Sequence, residues 1–255
     1  MKISIITACY NSAATIKDTF DSILSQTYQN YEYIVIDGAS TDNTVSIIKE
    51  YEPKFDGKMR WISEKDKGIY DAMNKGIAIA SGDIIGILNS DDFYIDKNVL
   101  EDINNAFDNE TGAICGNLYF VDSKHTNKIV RVWQGTKQKS FKKGWHPAHP
   151  TFYAKKELYD KYGNFDINFD VSADFELMLR FIEKNNIKTK YIDRFIVKMR
   201  HGGESTGSIK NILVGNKNII RAFKKNEIPL RFPHLYILRR LITKLRHALC
   251  GKIGI

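Results

Sequence analysis

Gly86-Ile87-Leu88-Asn89-Ser90-Asp91-Asp92, preceded by Ile84-Ile85, is an apolar run that stops at two adjacent carboxylates. The run reads as a buried strand, because a strand covered on both faces carries continuous Ile and Leu instead of alternation. Its carboxyl end would lie at the edge where an open α/β sheet places its ligands, and paired Asp side chains there suit a hard divalent cation bound through oxygen. The simpler reading is that Asp91 and Asp92 cap the next helix, a position Asp favours.

Working outward, the chain before this stretch repeats one pattern. Ile3 to Ala8 is an Ile-rich run, followed by Asn11 and Ser12 as N-cap candidates for a helix carrying Ile16, Phe20, Ile23 and Leu24 at helical spacing. Tyr33-Ile34-Val35-Ile36 is a second strand ending in Asp37, and the turn Asp37-Gly38-Ala39-Ser40-Thr41-Asp42 opens a helix with Val45, Ile48 and Lys49. Met59-Arg60-Trp61-Ile62 is a third strand, closed by Ser63-Glu64; a helix begins near Gly68 and ends at Ser81-Gly82-Asp83. Strands alternating with helices over short links predict an α/β fold with a mostly parallel central sheet. Successive strands then deliver Asp37, Glu64 with Asp66, and Asp91 with Asp92 to one edge, where they are expected to share a crevice. Clustered carboxylates repel unless a cation or hydrogen-bond donors compensate them. No Gly-rich phosphate loop follows the first strand, so a phosphate-bearing ligand would need a metal and basic side chains.

Composition narrows the class. The 255 residues suffice for one large domain, and 43% hydrophobic with 27% charged is ordinary for a globular chain. Cys9, Cys115 and Cys250 form no CxxC pair, which argues for a reducing compartment and against a thiolate zinc site. The strand-like Lys2-Ile3-Ser4-Ile5-Ile6 follows Met1 directly, and no run of about 18 apolar residues occurs; the expected location is the cytoplasm. The formal charge is +8, and nine Lys/Arg against the single acid Glu227 between Arg221 and Ile255 account for all of it. A nucleic-acid-binding domain would spread that charge over a face of the fold, so nucleic acid is not expected as a partner.

The strand and turn from Ile3 to Asn11, Asp37-Gly38-x-Ser40-x-Asp42, Gly68-Ile69-Tyr70-Asp71-Ala72-Met73-Asn74-Lys75-Gly76, Ser81-Gly82-Asp83 and Asn89-Ser90-Asp91-Asp92 occur together in that order. This combination resembles the family 2 inverting glycosyltransferases of the Rossmann-like GT-A fold, in particular the bacterial branch that builds capsule, O-antigen and colanic-acid-like polysaccharides. The resemblance covers about the first 205 residues. It implies a nucleotide-sugar donor, a Mg²⁺ or Mn²⁺ ion and inversion at the anomeric carbon. Carried over, Asp37 contacts the base or ribose, and Glu64, Asp66, Asp71, Asn74 and Lys75 lie among the substrate-binding residues. Asp91 contacts ribose or sugar, with Asp92 on the metal. Many members carry an acid where this chain has Asn89, so metal ligation is divided between Asp91 and Asp92.

Beyond Tyr94, a short helix is expected from Asn98 to Ile103. Strands are expected at Ala113–Gly116, Leu118–Val121, Lys128–Trp133 and Lys190–Lys198. Gln134 to Gly144, with Lys137, Lys139, Lys142 and Lys143, reads as a mobile loop, either a lid near phosphate or a solvated charge run. Trp145-His146-Pro147-Ala148-His149-Pro150-Thr151-Phe152 pairs rings with hydrogen-bonding groups, as a sugar face needs; the resemblance puts the acceptor pocket here, with His149 on substrate, against core aromatics with satisfied histidines. Ser172 is expected to cap a helix carrying Asp174 in its first turn. This segment resembles the Glu-Asp-x-Asp motif of the family, with Ala173 in place of the first acid. Asp174 is thereby the candidate general base, which a weakly nucleophilic sugar hydroxyl requires, and Glu176 its acceptor-positioning neighbour. Arg200-His201-Gly202-Gly203-Glu204-Ser205 resembles the family's Gly-Gly-x-Ser segment, where His201 completes a metal shell or meets a phosphate, the alternative being an exposed turn histidine.

Two parts are therefore expected: a glycosyltransferase domain over residues 1–225 and a basic amphipathic tail over 226–255. In the tail Leu235, Leu238, Leu241, Ile242, Leu245 and Leu249 oppose Arg239, Arg240, Lys244, Arg246 and His247, which fits an anionic membrane surface or a packed helix. The function this implies is transfer of a sugar from a UDP-, GDP- or dTDP-linked donor to a polyprenyl-linked glycan at the inner face of the cell membrane. The rivals are a sugar-nucleotide nucleotidyltransferase, which should show a Gly-rich basic loop after its first strand, and an inactive glycan- or nucleotide-binding subunit.

Overall fold

The computed structural model describes residues 1–202, 209–233 and 235–238. β1 (Ile3–Cys9), β2 (Tyr31–Asp37), β3 (Met59–Ser63) and β4 (Ile84–Ile87) run parallel, in the order β3-β2-β1-β4. They are linked through α1 (Ile16–Leu24), α2 (Thr44–Tyr51) and α3 (Ile69–Ile79). The strands are apolar throughout because both faces are covered. Ile3, Ile5, Tyr33 and Val35 join one core with Phe20 of α1, Ile48 of α2 and Leu100 of α4 (Val99–Ala106), while Ile6, Ala8, Ile34 and Ile36 join the other with Ala72 and Met73 of α3. Each such fully buried Ile or Val contributes about 1.5–3 kcal/mol relative to an exposed one.

The second half completes a nine-stranded sheet. β5 (Phe93–Tyr94), β6 (Ala113–Val121), β7 (Ile129–Trp133), β8 (Tyr153–Lys155) and β9 (Thr189–Arg200) extend the order to β3-β2-β1-β4-β8-β6-β9-β5, with β7 on β6. β8 joins the two halves antiparallel to both β4 and β6, and β6 runs parallel to β9. At that joint Gly86 pairs with Tyr153, and a Cβ on Gly86 would overlap the tyrosine ring. The ring crosses β4 there and its hydroxyl pairs with that of Tyr94 at 2.8 Å. α5 (Lys156–Tyr162), α6 (Ala173–Met178) and α7 (Ile209–Lys225) cover the α3 side. A π-helical turn, Leu179–Lys184, continues α6.

Several local expectations are corrected. β6 is one strand whose register with β9 shifts around Gly116, where two were expected. Neither Asn11 nor Ser12 caps α1 through its side chain: the Ser12 carbonyl accepts from Thr15 and Ile16, while the Asn11 amide oxygen accepts from Thr41 N at 2.9 Å. Ser172 does not cap α6 with its hydroxyl; it sits at φ 75° and its carbonyl accepts from Glu176 N. The lysine-rich segment 134–144 is pinned where a mobile loop was expected. Phe141 is fully buried, and Ser140 Oγ and Phe141 N donate to the Glu183 carboxylate at 2.7 and 2.8 Å.

Packing continues past residue 225, since Asn226, Ile228 and Tyr236 are buried and Tyr236 meets Phe223 with ring centres 5.1 Å apart. Of the residues singled out in the tail and in the Gly-Gly-x-Ser segment, Gly203, Glu204, Ser205 and 239–249 lie outside the described residues. Among the described residues no helix is long and apolar enough to cross a membrane.

Candidate active site

A cleft of about 410 Å³ opens at the carboxyl ends of β1 and β4. Ala8, Asn89, Ser90 and Asp91 line it from these strands, Ile69, Tyr70 and Met73 from α3, and Asp174, Phe175 and Met178 from α6. The β6–β7 pair supplies Leu118, Phe120, Arg131 and Trp133, and His146, His149, Arg200 and His201 complete the lining that concerns the chemistry.

The turn after β4 is held by hydroxyls from β1 and α1. Thr7 Oγ1 donates to Leu88 O at 2.6 Å, Thr15 Oγ1 to Ser90 O at 2.9 Å and Thr19 Oγ1 to Asp92 O at 2.7 Å. Arg200, brought alongside by β9, donates to Asp91 O at 2.6 Å and pairs with Asp18. The two carboxylates then part: Asp91 lines the cleft, whereas Asp92 is fully buried behind it. Burial pushes the Asp92 carboxyl well above the usual carboxylate range and the charge of Asp91 adds to this, with Asn89 and Arg200 acting the other way. Burial raises Asp91 too, opposed by Arg200. Asp92 Oδ2 accepts from Asn89 Nδ2 at 3.1 Å, but Asp92 Oδ1 and Asn89 Oδ1 are buried acceptors with no donor among the described residues.

Orphaned buried acceptors beside a second carboxylate are what a bound cation would satisfy. Among the described residues no three His, Cys, Asp or Glu side chains are grouped to hold a metal by themselves. A Mg²⁺-type ion needs only one or two protein carboxylates when substrate phosphates supply the rest, and Asp91 and Asp92 are carboxylates of that kind. His201 sits exposed in the turn after β9, its ring edge-on to Phe120 at 6.5 Å, on the rim of the same cleft.

Asp174 lies across from this turn. Tyr70 Oη donates to Asp174 Oδ1 at 3.3 Å. Burial, and then the charge of Asp174, hold the Tyr70 phenol well above its ordinary value, so it stays a donor. His149 faces Asp174 as well: burial lowers its pKa from the ordinary 6.5 and the Asp174 charge works in the opposite direction. Both rings rest on Phe165, Tyr70 stacked at 5.5 Å and His149 edge-on at 5.9 Å. Asn74 grips the Phe165 backbone with both amide atoms, at 2.9 and 3.0 Å. Asn74, expected on the substrate, is engaged here with the backbone of Phe165, on which the two rings flanking Asp174 rest.

Other expected site residues do not line this cleft. Asp37 is fully buried, with Ser63 Oγ donating at 2.6 Å, Ser40 N at 3.0 Å and Ser40 Oγ also bound. Here it clamps the 37–42 turn through Ser40 and Ser63. Asp66 accepts from Gly68 N at 2.8 Å and lies so close to Gly38 that a Cβ there would overlap its carboxylate. Glu64 pairs with Lys75 at 2.8 Å, and Asp71 accepts from Lys67 N at 3.0 Å. Asp37, Glu64 and Asp66 therefore share the strand-end edge with Asp91 without lining the cleft, because serine hydroxyls, loop N–H groups and Lys75 occupy them. Glu176, expected to position the acceptor, is enclosed more fully. It is completely buried, its oxygens taken by Arg180 at 3.0 and 3.2 Å, Lys225 at 3.1 Å and Asn226 at 3.0 Å, and these partners hold its pKa below the usual range despite burial.

Tyr70 and Arg200 were not singled out from the sequence as site residues. Tyr70 stood inside the Gly68–Gly76 motif, whereas the role of Arg200 depends on the pairing of β6 with β9, which no local pattern announces.

Residues 4–184 match the family described as Glycosyl transferase family 2. The chain is 25% identical over 213 residues to a PGL/p-HBAD biosynthesis glycosyltransferase of Mycobacterium bovis, covering 81% of this chain and 79% of that one. It is 33% identical over 184 residues to an uncharacterized glycosyltransferase of Mycobacterium tuberculosis, covering 70% and 68%. In structure it resembles S. aureus TarS 1-349 in complex with UDP-GlcNAc (TM-score 0.71, 18% identity, 100% of this chain and 77% of that one). It also resembles the mannosyltransferase PcManGT of Pyrobaculum calidifontis in complex with GDP-Man and Mn²⁺ (TM-score 0.65, 18% identity, 98% and 76%). Against the longer TarS chain it spans 46% of the length. These likenesses identify the curled α/β sheet as the GT-A fold.

Proposed function

The chain belongs to glycosyl transferase family 2, and on that premise we propose that it moves a sugar, with inversion, from a nucleoside diphosphate sugar to a hydroxyl of a glycan acceptor. The observation that carries this reading is the cleft with Asp91 on one side and Asp174, flanked by Tyr70 and His149, on the other. A sugar hydroxyl is a poor nucleophile, so a base must take its proton as the new bond forms. Asp174 fills that role: Tyr70 occupies Oδ1 as a donor, which orients the carboxylate and leaves Oδ2 for the acceptor hydroxyl. The acceptor oxygen attacks C1 from the face opposite the diphosphate, its proton passes to Asp174, and the C1–O electron pair leaves with the diphosphate. His149, kept neutral by burial, is a hydrogen-bonding partner for acceptor hydroxyls.

Asp91 would hold a Mg²⁺ or Mn²⁺ ion with Asp92 behind it and His201 at the rim, and such an ion supplies positive charge where the leaving diphosphate gains negative charge. UDP- and GDP-sugars are the first donors to test, since structural neighbours carry UDP-GlcNAc and GDP-Man. The dTDP-linked sugars belong in the same panel. We assign the acceptor to lipid-linked glycans of cell-surface polysaccharide synthesis and the tail to the cytoplasmic membrane surface. Exposed Phe232, Leu235 and Leu238 at the start of the basic tail support this.

The test is donor hydrolysis and transfer by the full chain with UDP-GlcNAc, GDP-mannose and dTDP-glucose, with and without Mn²⁺, the product anomer being read by NMR. Inverted product from one donor is expected. Asp91→Asn should raise the Mn²⁺ concentration needed for half-activity about tenfold, because a carboxylate ligand is lost. Retained configuration, or no metal-dependent turnover of any donor, would overturn the assignment.

A further inference from the structure

Arg131 is a cation built into the cleft wall with nothing described to neutralise it. On β7, paired to Phe120 of β6, it lies over the Phe120 ring at 3.8 Å from its centre and within 5.8 Å of the Trp133 ring. It lines the cleft, it is half-buried, and its Nε is a buried donor without a partner. No hydrogen bond or ion pair ties its guanidinium to a carboxylate among the described residues, and burial lowers its pKa. Arg200, the other guanidinium lining the cleft, is already spent on the Asp91 carbonyl and on Asp18. Desolvating a charge is costly unless something pairs with it, and the aromatic faces offset only part of that cost. What the fork of an arginine fits is a carboxylate or a phosphate, bound through two parallel N–H donors.

The surroundings indicate which substrate brings that anion. β7 lies beyond β8 and β6 from β4, away from the β1 and β2 loops. Trp133 stands edge-on to His146 at 5.2 Å, and His146 edge-on to Phe175 of α6 at 5.5 Å, one residue from Asp174. Aromatic surface continuous with the base is where a sugar ring presenting its hydroxyl to Asp174 would rest. We propose that Arg131 receives an anionic group, a carboxylate or a phosphate monoester, carried by the acceptor glycan. Acceptors of this enzyme are then acidic sugars or phosphorylated ones, a narrower class than the transferase reading on which this rests.

The proposal is tested by calorimetric binding to the full chain saturated with UDP and Mn²⁺. The probes are phenyl β-glucoside, phenyl β-glucuronide and phenyl β-glucoside 6-phosphate. Wild type is expected to bind one of the two anionic probes at least about tenfold tighter than the neutral one, and which one distinguishes carboxylate from phosphate. Arg131→Gln should bring the ratio close to one, while Arg131→Lys, keeping charge without the fork, should keep a ratio of about three. Equal or undetectable binding of all three probes to wild type, or an unchanged preference in Arg131→Gln, would overturn the proposal. So would a loss of UDP affinity in Arg131→Gln matching its loss of anionic-probe affinity, which would place the residue on the donor diphosphate. Should wild type turn over no nucleotide sugar yet keep an Arg131-dependent anion preference, the transferase reading fails and the acceptor assignment with it, leaving Arg131 as an anion-binding site only.

Discussion

On α6 the cleft face and the core face carry one carboxylate each, two residues apart. At about 100° per residue, positions i and i+2 point to nearly opposite sides of a helix, so Asp174 meets the cleft and Glu176 meets α7 and Arg180. The same division appears at the strand ends. Asp91 lines the cleft, and Asp37 is enclosed by Ser40 and Ser63. A carboxylate whose acceptor sites are filled by the protein holds the fold; one with capacity left over, in a cleft, is available to a substrate or a cation. Residue type and motif membership do not separate the two kinds, but hydrogen-bond satisfaction does.

In stability, the largest effect is expected at Glu176. Glu176→Gln leaves Arg180 and Lys225 facing a neutral amide in the core, and should cost about 3 kcal/mol in urea unfolding while leaving the turnover of folded enzyme within about twofold. The pH dependence has a definite sign. Because the folded-state pKa of Glu176 lies below its ordinary 4.5, its contribution is present above that pH and is lost as pH falls through the folded value. The gap between wild type and the Gln variant should therefore close in acid, and a gap that widened there would refute the pairing. Next is Asp37→Asn, which turns one acceptor oxygen into a donor against the hydroxyl and amide donors of Ser40 and Ser63. A loss of about 2 kcal/mol is expected, with weaker UDP binding following only from the loosened loop. The smallest stability effect is expected at Tyr70→Phe, about 0.5–1 kcal/mol for one hydrogen bond, yet kcat should fall about fivefold because Asp174 loses its orienting donor. His149 adds a further pH signature. With its pKa lowered in the fold, the unfolded chain binds its proton more readily below about pH 6.5, so stability should decline from there downward and decline less in His149→Gln.

The parallel half of the sheet was legible because its strands are buried on both faces, and continuous runs such as Tyr33-Ile34-Val35-Ile36 declare that directly. β5 and β8 were not, since two and three residues are too few to show a period, and β8 is defined by its pairing with Gly86 and Ile114. Lysines at 142 and 143 suggested a solvated loop because their charge outweighs the single buried ring of Phe141 that anchors it. Asp91 and Asp174 were legible as cleft residues because the motifs contain them, and the metal and base roles proposed for them need carboxylates. The enclosure of Asp37 and Glu176 was not, because it depends on Ser63, Lys225 and Asn226, which are remote in the chain.

That carboxylates with unfilled acceptor sites at the cleft do the chemistry, while those the protein fills hold the fold, is put at greatest risk at Asp174. Single-turnover transfer by Asp174→Asn, measured beside its thermal midpoint and UDP affinity, should be slower than wild type by about 10³ with the other two quantities nearly unchanged. Transfer at the wild-type rate, or a loss of activity that merely follows a loss of folding, would contradict the account.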